Sequence, residues 1–311
     1  MDSEFNIKGN EKAIILPFEE AGEYEDLIQK YLFSLAEKQD YTDGLLIYIP
    51  KNTIIETPIE ISLNLIANSK ENILIIAEEN SKASIIDLAK SNDKVNERSQ
   101  IVEIIAKDNS NIEFISVQNL NKETNNKSIK KASLGKDAVV NWLDCTLGSK
   151  ATNSTLITDL NGQGSKTKNI GLFFGDKNQE FNFDVRTIHN APHTESNMLS
   201  RGVLNDKAKS NYNGLIKIQE KGHNTIGYQK QETILLSNEA KADAVPTLEI
   251  HNDNVKCSHG TTISKLDPEK IFYLMSRGVG EKEAKNKIIE GFFESLIEND
   301  NVKQIVLERL Q

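Results

Sequence analysis

The residues best suited to chemistry lie in one short run, His251-Asn252-Asp253-Asn254-Val255-Lys256-Cys257-Ser258-His259-Gly260. If the run is extended, Cys257 and His259 stand at i and i+2 and project from one face. There a thiolate and an imidazole can share a metal ion, or the imidazole can lower the thiol pKa. Two ligands do not complete a site. Zinc takes about four protein ligands structurally and about three in a catalytic site, so the rest would come from another coil or another subunit. The plain competing reading is packing, because a free cysteine behaves as a small hydrophobe and is often buried.

All five histidines fall in the second half: His189, His193, His223, His251 and His259. The run His189-Asn190-Ala191-Pro192-His193-Thr194-Glu195-Ser196 reads first as a hydrogen-bonded corner and second as a hydrolytic or metal site. Cys145, at the end of an apolar run, reads as core packing. Walker A, G-x-S-x-G, H-E-x-x-H and complete dinucleotide motifs are missing, so the ordinary enzyme classes are not indicated. Lys and Arg number 37 against 46 Asp and Glu, a net charge of −9, which argues against coating nucleic acid or anionic lipid. Two cysteines exclude a disulfide scaffold and point to a reducing compartment. No export signal or membrane-length apolar run is evident, so a cytoplasmic location is expected.

The elements that must position these residues change character along the 311 residues. Tyr24, Leu27, Ile28, Tyr31, Leu32 and Leu35 recur at helical spacing and predict one helix from Gly22 to about Lys38. From Leu45 to about Ile263, short runs rich in Ile, Val, Leu and Phe predict strands. Segments beginning at Asn80, Asn109 and Lys136 repeat a small-or-polar lead into a strand at offsets of 29 and 27 residues. This is the range of solenoid repeats. A parallel β-helix is the first choice, because stacked coils bury a column that no single coil can bury; a β-sandwich with similar turns is the alternative. Asp267-Pro268-Glu269 then predicts a helix start, with Gly278 as its stop. A second helix is predicted from about Glu281 to Glu298 and a third from about Val302 to Leu310. Phe292 and Phe293 read as lobe core or as an exposed docking ridge.

Several of these segments resemble one known family. Pro246-Thr247-Leu248-Glu249-Ile250, Val255-Lys256-Cys257-Ser258-His259-Gly260, Leu266-Asp267 and Phe272-Tyr273-Leu274-Met275-Ser276-Arg277-Gly278 resemble the carboxy-terminal signature of the SufB/SufD family of iron-sulfur cluster assembly proteins. Ala191-Pro192-His193-Thr194, Arg201-Gly202-Val203-Leu204 and Tyr212-Asn213-Gly214 resemble its central motifs, and Tyr48-Ile49-Pro50-Lys51 with Pro58-Ile59 its β-helix entry. The resemblance implies a mainly β chain: a right-handed parallel β-helix over residues 43–265, a short N-terminal helical region over 1–42, and a small C-terminal helical lobe over 266–311. It implies a non-enzymatic scaffold that pairs with a SufB-like paralogue, or with itself when alone. A SufC ATPase would dock on the lobe, with Phe272, Arg277, Gly278, Phe292 and Phe293 as candidate contacts. The Cys257-Ser258-His259 form is similar to SufD. SufB members carry a sulfur-accepting cysteine on the preceding strand, where Gln231-Glu232-Thr233-Ile234-Leu235-Leu236 stands here, without a cysteine. His259 and Cys257 are then candidate ligands of a nascent Fe-S cluster at the interface, with Glu232 either an additional hard oxygen ligand or a solvated strand residue. Flavin binding stays open. The alternatives are a scaffold without cluster ligands and, less in keeping with the missing export signal, a carbohydrate-active β-helix enzyme.

Overall fold

The structure is a computed structural model that describes residues 3–9, 11–32 and 43–310. Two short strands come first, β1 (Ser3–Lys8) and β2 (Ile14–Pro17), followed by the helix α1 (Glu25–Leu32). The next strands are β3 (Asp43–Ile49), β4 (Ile59–Leu65), β5 (Ser69–Ala77), β6 (Lys82–Ser91), β7 (Glu97–Ala106) and β8 (Asn111–Asn119). They continue as β9 (Asn125–Leu134), β10 (Val139–Thr146), β11 (Ala151–Leu160), β12 (Lys166–Gly175), β13 (Glu180–His189) and β14 (Glu195–Leu204). Last are β15 (Lys209–Ile218), β16 (Thr225–Leu235), β17 (Lys241–Ile250) and β18 (Val255–Lys265), then the helices α2 (Pro268–Ser276), α3 (Glu281–Glu294) and α4 (Asp300–Leu310).

From β3 to β16 every strand pairs in parallel with the strand two places later, so even-numbered strands build one sheet and odd-numbered strands the other, each brought to nine strands by β1 beside β4 and β2 beside β3. A sandwich of hairpins cannot produce that order. Strands make up 55% of the chain and wind about 8 turns, which bears out the mainly β, β-helix expectation. The segment before residue 43 adds two strands that the helical spacing did not announce. The continuation of the first helix beyond Leu32, including Leu35, lies outside the described residues.

The polar lead of each repeat is a corner. Asn52, Asn80, Asn109, Asp137, His193 and Asn224 all adopt left-handed backbone conformations, with φ between 55° and 59°, a region that Asn and Asp tolerate better than most residues. Stacked corner amides form a ladder: Asn80 Nδ2 donates to Asn52 Oδ1 and Asn109 Nδ2 to Asn80 Oδ1, each at 2.8 Å. Ser81 and Ser110 close the same turns on the carbonyls of Glu78 and Lys107, at 2.6 Å. One repeating device therefore sets the coil length.

Along each strand alternate residues point inward. One side of the interior is an apolar column that includes Ile75, Val102, Ile104, Phe114, Trp142 and Leu160. The other side is polar. Arg98 grips Glu71 with Nε at 3.0 Å and Nη2 at 2.7 Å, Gln100 donates to Asp87 at 2.8 Å, and Lys130 pairs with Asp144 at 2.8 Å. All but Asp144 of these six are buried. Further along, inward glycines make room for large neighbours. A Cβ on Gly202 would stand 2.0 Å from the Phe173 ring, so Gly202→Ala is expected to lower stability by about 1–3 kcal/mol. The urea midpoint measures this, and an unchanged midpoint would refute the packing argument.

The two ends of the solenoid differ. At the first, β1 and β2 run antiparallel to β4 and β3, and Ile7, Ala13 and Ile15 pack on the apolar column. At the other, β17 and β18 are the edge strands of their sheets, and Val245, Ile250 and Ile263 are exposed.

The helical lobe covers the outer face of the even-numbered sheet. Ile289, Phe293, Ile297, Val302 and Val306 share one apolar cluster with Ile115, Val117, Leu143, Cys145 and Leu172. Burial pushes the Cys145 thiol well above its ordinary pKa, as packing requires. The Asp267 side chain caps α2 by accepting from the Glu269 amide at 2.9 Å, and Gly278, at φ 88°, turns the chain out of it. The expected helix to Glu298 stops at Glu294, because the Ser295 amide already bonds the Phe293 carbonyl rather than continuing the α-helical pattern.

Candidate functional site at the open end

The open end is the interior face of the last coil, on which no further coil stacks among the described residues. β18 lies in register on β16, placing Cys257 beside Gly227 and His259 beside Gln229. Gly227 and Gln229 are buried and inward, so Cys257 and His259 continue the inward face, and the expected common face is real.

Their surroundings differ. Cys257 is half-buried against the apolar group of Met198, Ile216 and Ile218, and its Sγ lies 3.4 Å from the point where a Gly227 Cβ would stand. A larger residue at 227 would crowd it. Burial raises the thiol pKa, partly offset by the Gly227 backbone amide, so the thiol is protonated until a metal or a cation draws the proton off. His259 is exposed and can be approached directly. Beneath it, Gln229 Nε2 and Oε1 are buried without a well-formed hydrogen bond, with Tyr212 as the polar neighbour. The sequence reading passed over Gln229; the available signal was its position one coil, 30 residues, before His259.

Glu232 is not part of this arrangement. It lies three residues beyond Gln229 on β16, roughly 10 Å along the strand, and on the opposite, outward face. Its carboxylate pairs with Lys230 at 2.7 Å and with Arg201 at 3.0 Å. Burial pushes its pKa up, but these cations outweigh burial and leave it below the ordinary carboxylate value. Among the described residues no group of three or more His, Cys, Asp or Glu side chains is placed to hold a metal ion.

The other histidines separate. His189 is buried, with Nδ1 2.8 Å from Thr194 Oγ1 and Nε2 2.8 Å from Ser196 Oγ, and burial lowers its pKa to about 4. It is a neutral strut inside a hydrogen-bonded corner, as the first of the two readings has it. His193 and His223 meet edge to face on neighbouring corners, with ring centres 5.6 Å apart. His251 sits at the corner after β17, its amide bonded to the Ile218 carbonyl.

The lobe candidates also divide. Phe293 is buried, and Phe292 is half-buried beneath the Arg201 guanidinium, 4.9 Å from its ring centre. Phe272 is 73% exposed and Tyr273 57%. Arg277 stacks over Tyr273 at 5.4 Å, and Gly278 shapes the following turn. The accessible aromatic surface of the lobe is thus on α2, which has no buried residue.

Comparison with known proteins agrees with this geometry. Residues 63–292 match the family described as SUF system FeS cluster assembly, SufBD core domain. An iron-sulfur cluster assembly SufBD family protein of Staphylococcus saprophyticus is 29% identical over 287 residues, 88% of this chain and 62% of that protein. Proteins of the same description from Staphylococcus haemolyticus and Staphylococcus aureus are also 29% identical, over 289 and 287 residues. The chain spans 62% of the length of these relatives.

Proposed function

Since the chain belongs to the SufBD family of iron-sulfur cluster assembly proteins, we propose that it is a SufD-like scaffold subunit whose open end joins a SufB-like chain, with a nascent Fe-S cluster as cargo at the seam. The observation that carries this reading is the asymmetry of the solenoid. At one end the antiparallel β1 and β2 follow the first coil and Ile7, Ala13 and Ile15 pack on the apolar column, while at the other the edge strands β17 and β18 flank the inward-facing His259 and Cys257. Unpaired edges are templates for strand addition, and exposed apolar residues at such an edge favour a partner. His259 supplies an approachable imidazole, Cys257 a thiol that becomes a ligand on losing its proton, and the joined subunit completes the set.

Two features favour the SufD-like side of the pair. The Cys257-Ser258-His259 form resembles SufD, and the position of the SufB-type acceptor cysteine is filled by Glu232, committed to ion pairs on the outer face. The exposed aromatic face of α2 suits a SufC-type ATPase, and the chain itself acts as a non-enzymatic support, in the cytoplasm.

Anaerobic reconstitution with iron and sulfide, in the presence of the SufB-like and SufC-like subunits and followed by visible absorption, tests the proposal. His259→Ala is expected to slow cluster formation by at least about tenfold, the value of one lost first-sphere interaction of about 1.4 kcal/mol. A variant as fast as the wild type would show that His259 only packs the seam.

A further inference from the structure

Arg201, outside the candidate ligand set, makes directional contacts with two elements at once. It projects from the outer face of β14. Its Nε donates to Glu232 Oε2 on β16 at 3.0 Å, while Nη1 donates to the Phe292 carbonyl at 2.6 Å and to Ser295 Oγ at 2.7 Å. The guanidinium plane also covers the Phe292 ring. The two helix contacts are at the C-terminus of α3, where unsatisfied carbonyls and the helix dipole favour a cation. α3 has no basic residue in its own last turn, so a solenoid side chain supplies that charge.

A forked, planar cation holds a carboxylate and a carbonyl in fixed relative directions, which a freely rotating ammonium does not. Ile234 and Leu236 pack on the apolar cluster that the lobe shares with the even-numbered sheet, a contact that does not fix direction. α2 in turn packs on α3, so the pose of α3 sets that of the exposed aromatic helix. On the other side, Glu232 lies in register with Thr262 of β18, the strand that carries Cys257 and His259.

We propose that Arg201 is a positioning residue that couples the helical lobe to the open end, its single guanidinium holding α3 and the outer face of β16 in one geometry. Displacing α3 releases Glu232 and loosens β16 and β18; loosening β16 frees the last turn of α3. The proposal rests on the functional reading above only for the identity of what moves the lobe.

Hydrogen-deuterium exchange on the full chain alone tests the coupling. Among the described residues the ion pairs of Glu232 run to Arg201 and Lys230 and not to α3, and Ser295 lies on the lobe. Glu232→Gln is expected to speed exchange in the last turn of α3 by about threefold or more, and Ser295→Ala to speed exchange in β16 and β18 by a similar factor, because coupling is reciprocal. Arg201→Lys keeps the charge but not the fork, and is expected to protect one side while leaving the other fast. Changes confined to the element that carries each substitution would overturn the proposal, as would uniform acceleration over the whole chain. Neither subunits nor cluster are present in this measurement, so its failure and that of the scaffold reading are separate results.

Discussion

Replacing Arg98 with methionine is expected to lower the unfolding free energy by about 3–5 kcal/mol, the cost of stranding a buried carboxylate without its partner. Arg98 and Glu71 are 2% and 1% exposed in their side chains, and the bidentate contact supplies most of the compensation for desolvating Glu71. The neighbourhood holds three carboxylates, Glu71, Asp87 and Asp144, against two cations, Arg98 and Lys130. Burial pushes Asp87 toward its protonated form, which brings the group close to neutrality. Adding Glu71→Met to Arg98→Met removes the stranded charge, so the double variant is expected to be more stable than the single one. Urea denaturation reads both, and a double variant less stable than Arg98→Met would sink the account.

Acid should destabilise the chain through His189. Its pKa falls from 6.5 to about 4 on folding, through burial, so between those values the unfolded chain binds a proton that the folded chain refuses. The stabilisation is fully present above about pH 6.5 and is lost as pH falls toward 4. It amounts to ~3 kcal/mol over the window, a slope of about 1.4 kcal/mol per pH unit. Carboxylates titrate in the lower part of this range, so the decisive quantity is the difference in slope between the wild type and His189→Gln. Parallel stability curves for the two proteins would show that the folded chain binds a proton at His189 as readily as the unfolded chain, against this account.

Much of the architecture was legible because the repeats carry their own corner chemistry. Asn80-Ser81 and Asn109-Ser110 mark the left-handed residue and the hydroxyl that closes each turn, and Asp267-Pro268 marks a helix start that local geometry alone decides. The first two strands were not legible. They are short, and their antiparallel partners lie tens of residues away in β4 and β3, so no local periodicity announces them. The interior ion pairs were missed for a different reason. Glu71, Arg98 and Lys130 look like solvent-facing residues by type, although Arg98 and Gln100 share the parity of the inward Val102 and Ile104, which was the available signal. At the open end, the common face of Cys257 and His259 followed from strand parity, whereas the separation of Glu232 depended on register and on Arg201, neither of which adjacency in sequence reveals.

The unequal ends also differ in strand polarity. A solenoid with bare edges at both ends is a monomer for linear polymerisation, each addition regenerating the edge it consumed. Here β1 and β2 reverse the strand direction at the first coil and become the edge strands there, as β17 and β18 are at the other end. Head-to-tail stacking of two copies would therefore place an antiparallel step in each otherwise parallel sheet, whereas addition at β17 and β18 of a strand running their way would continue the parallel ladder.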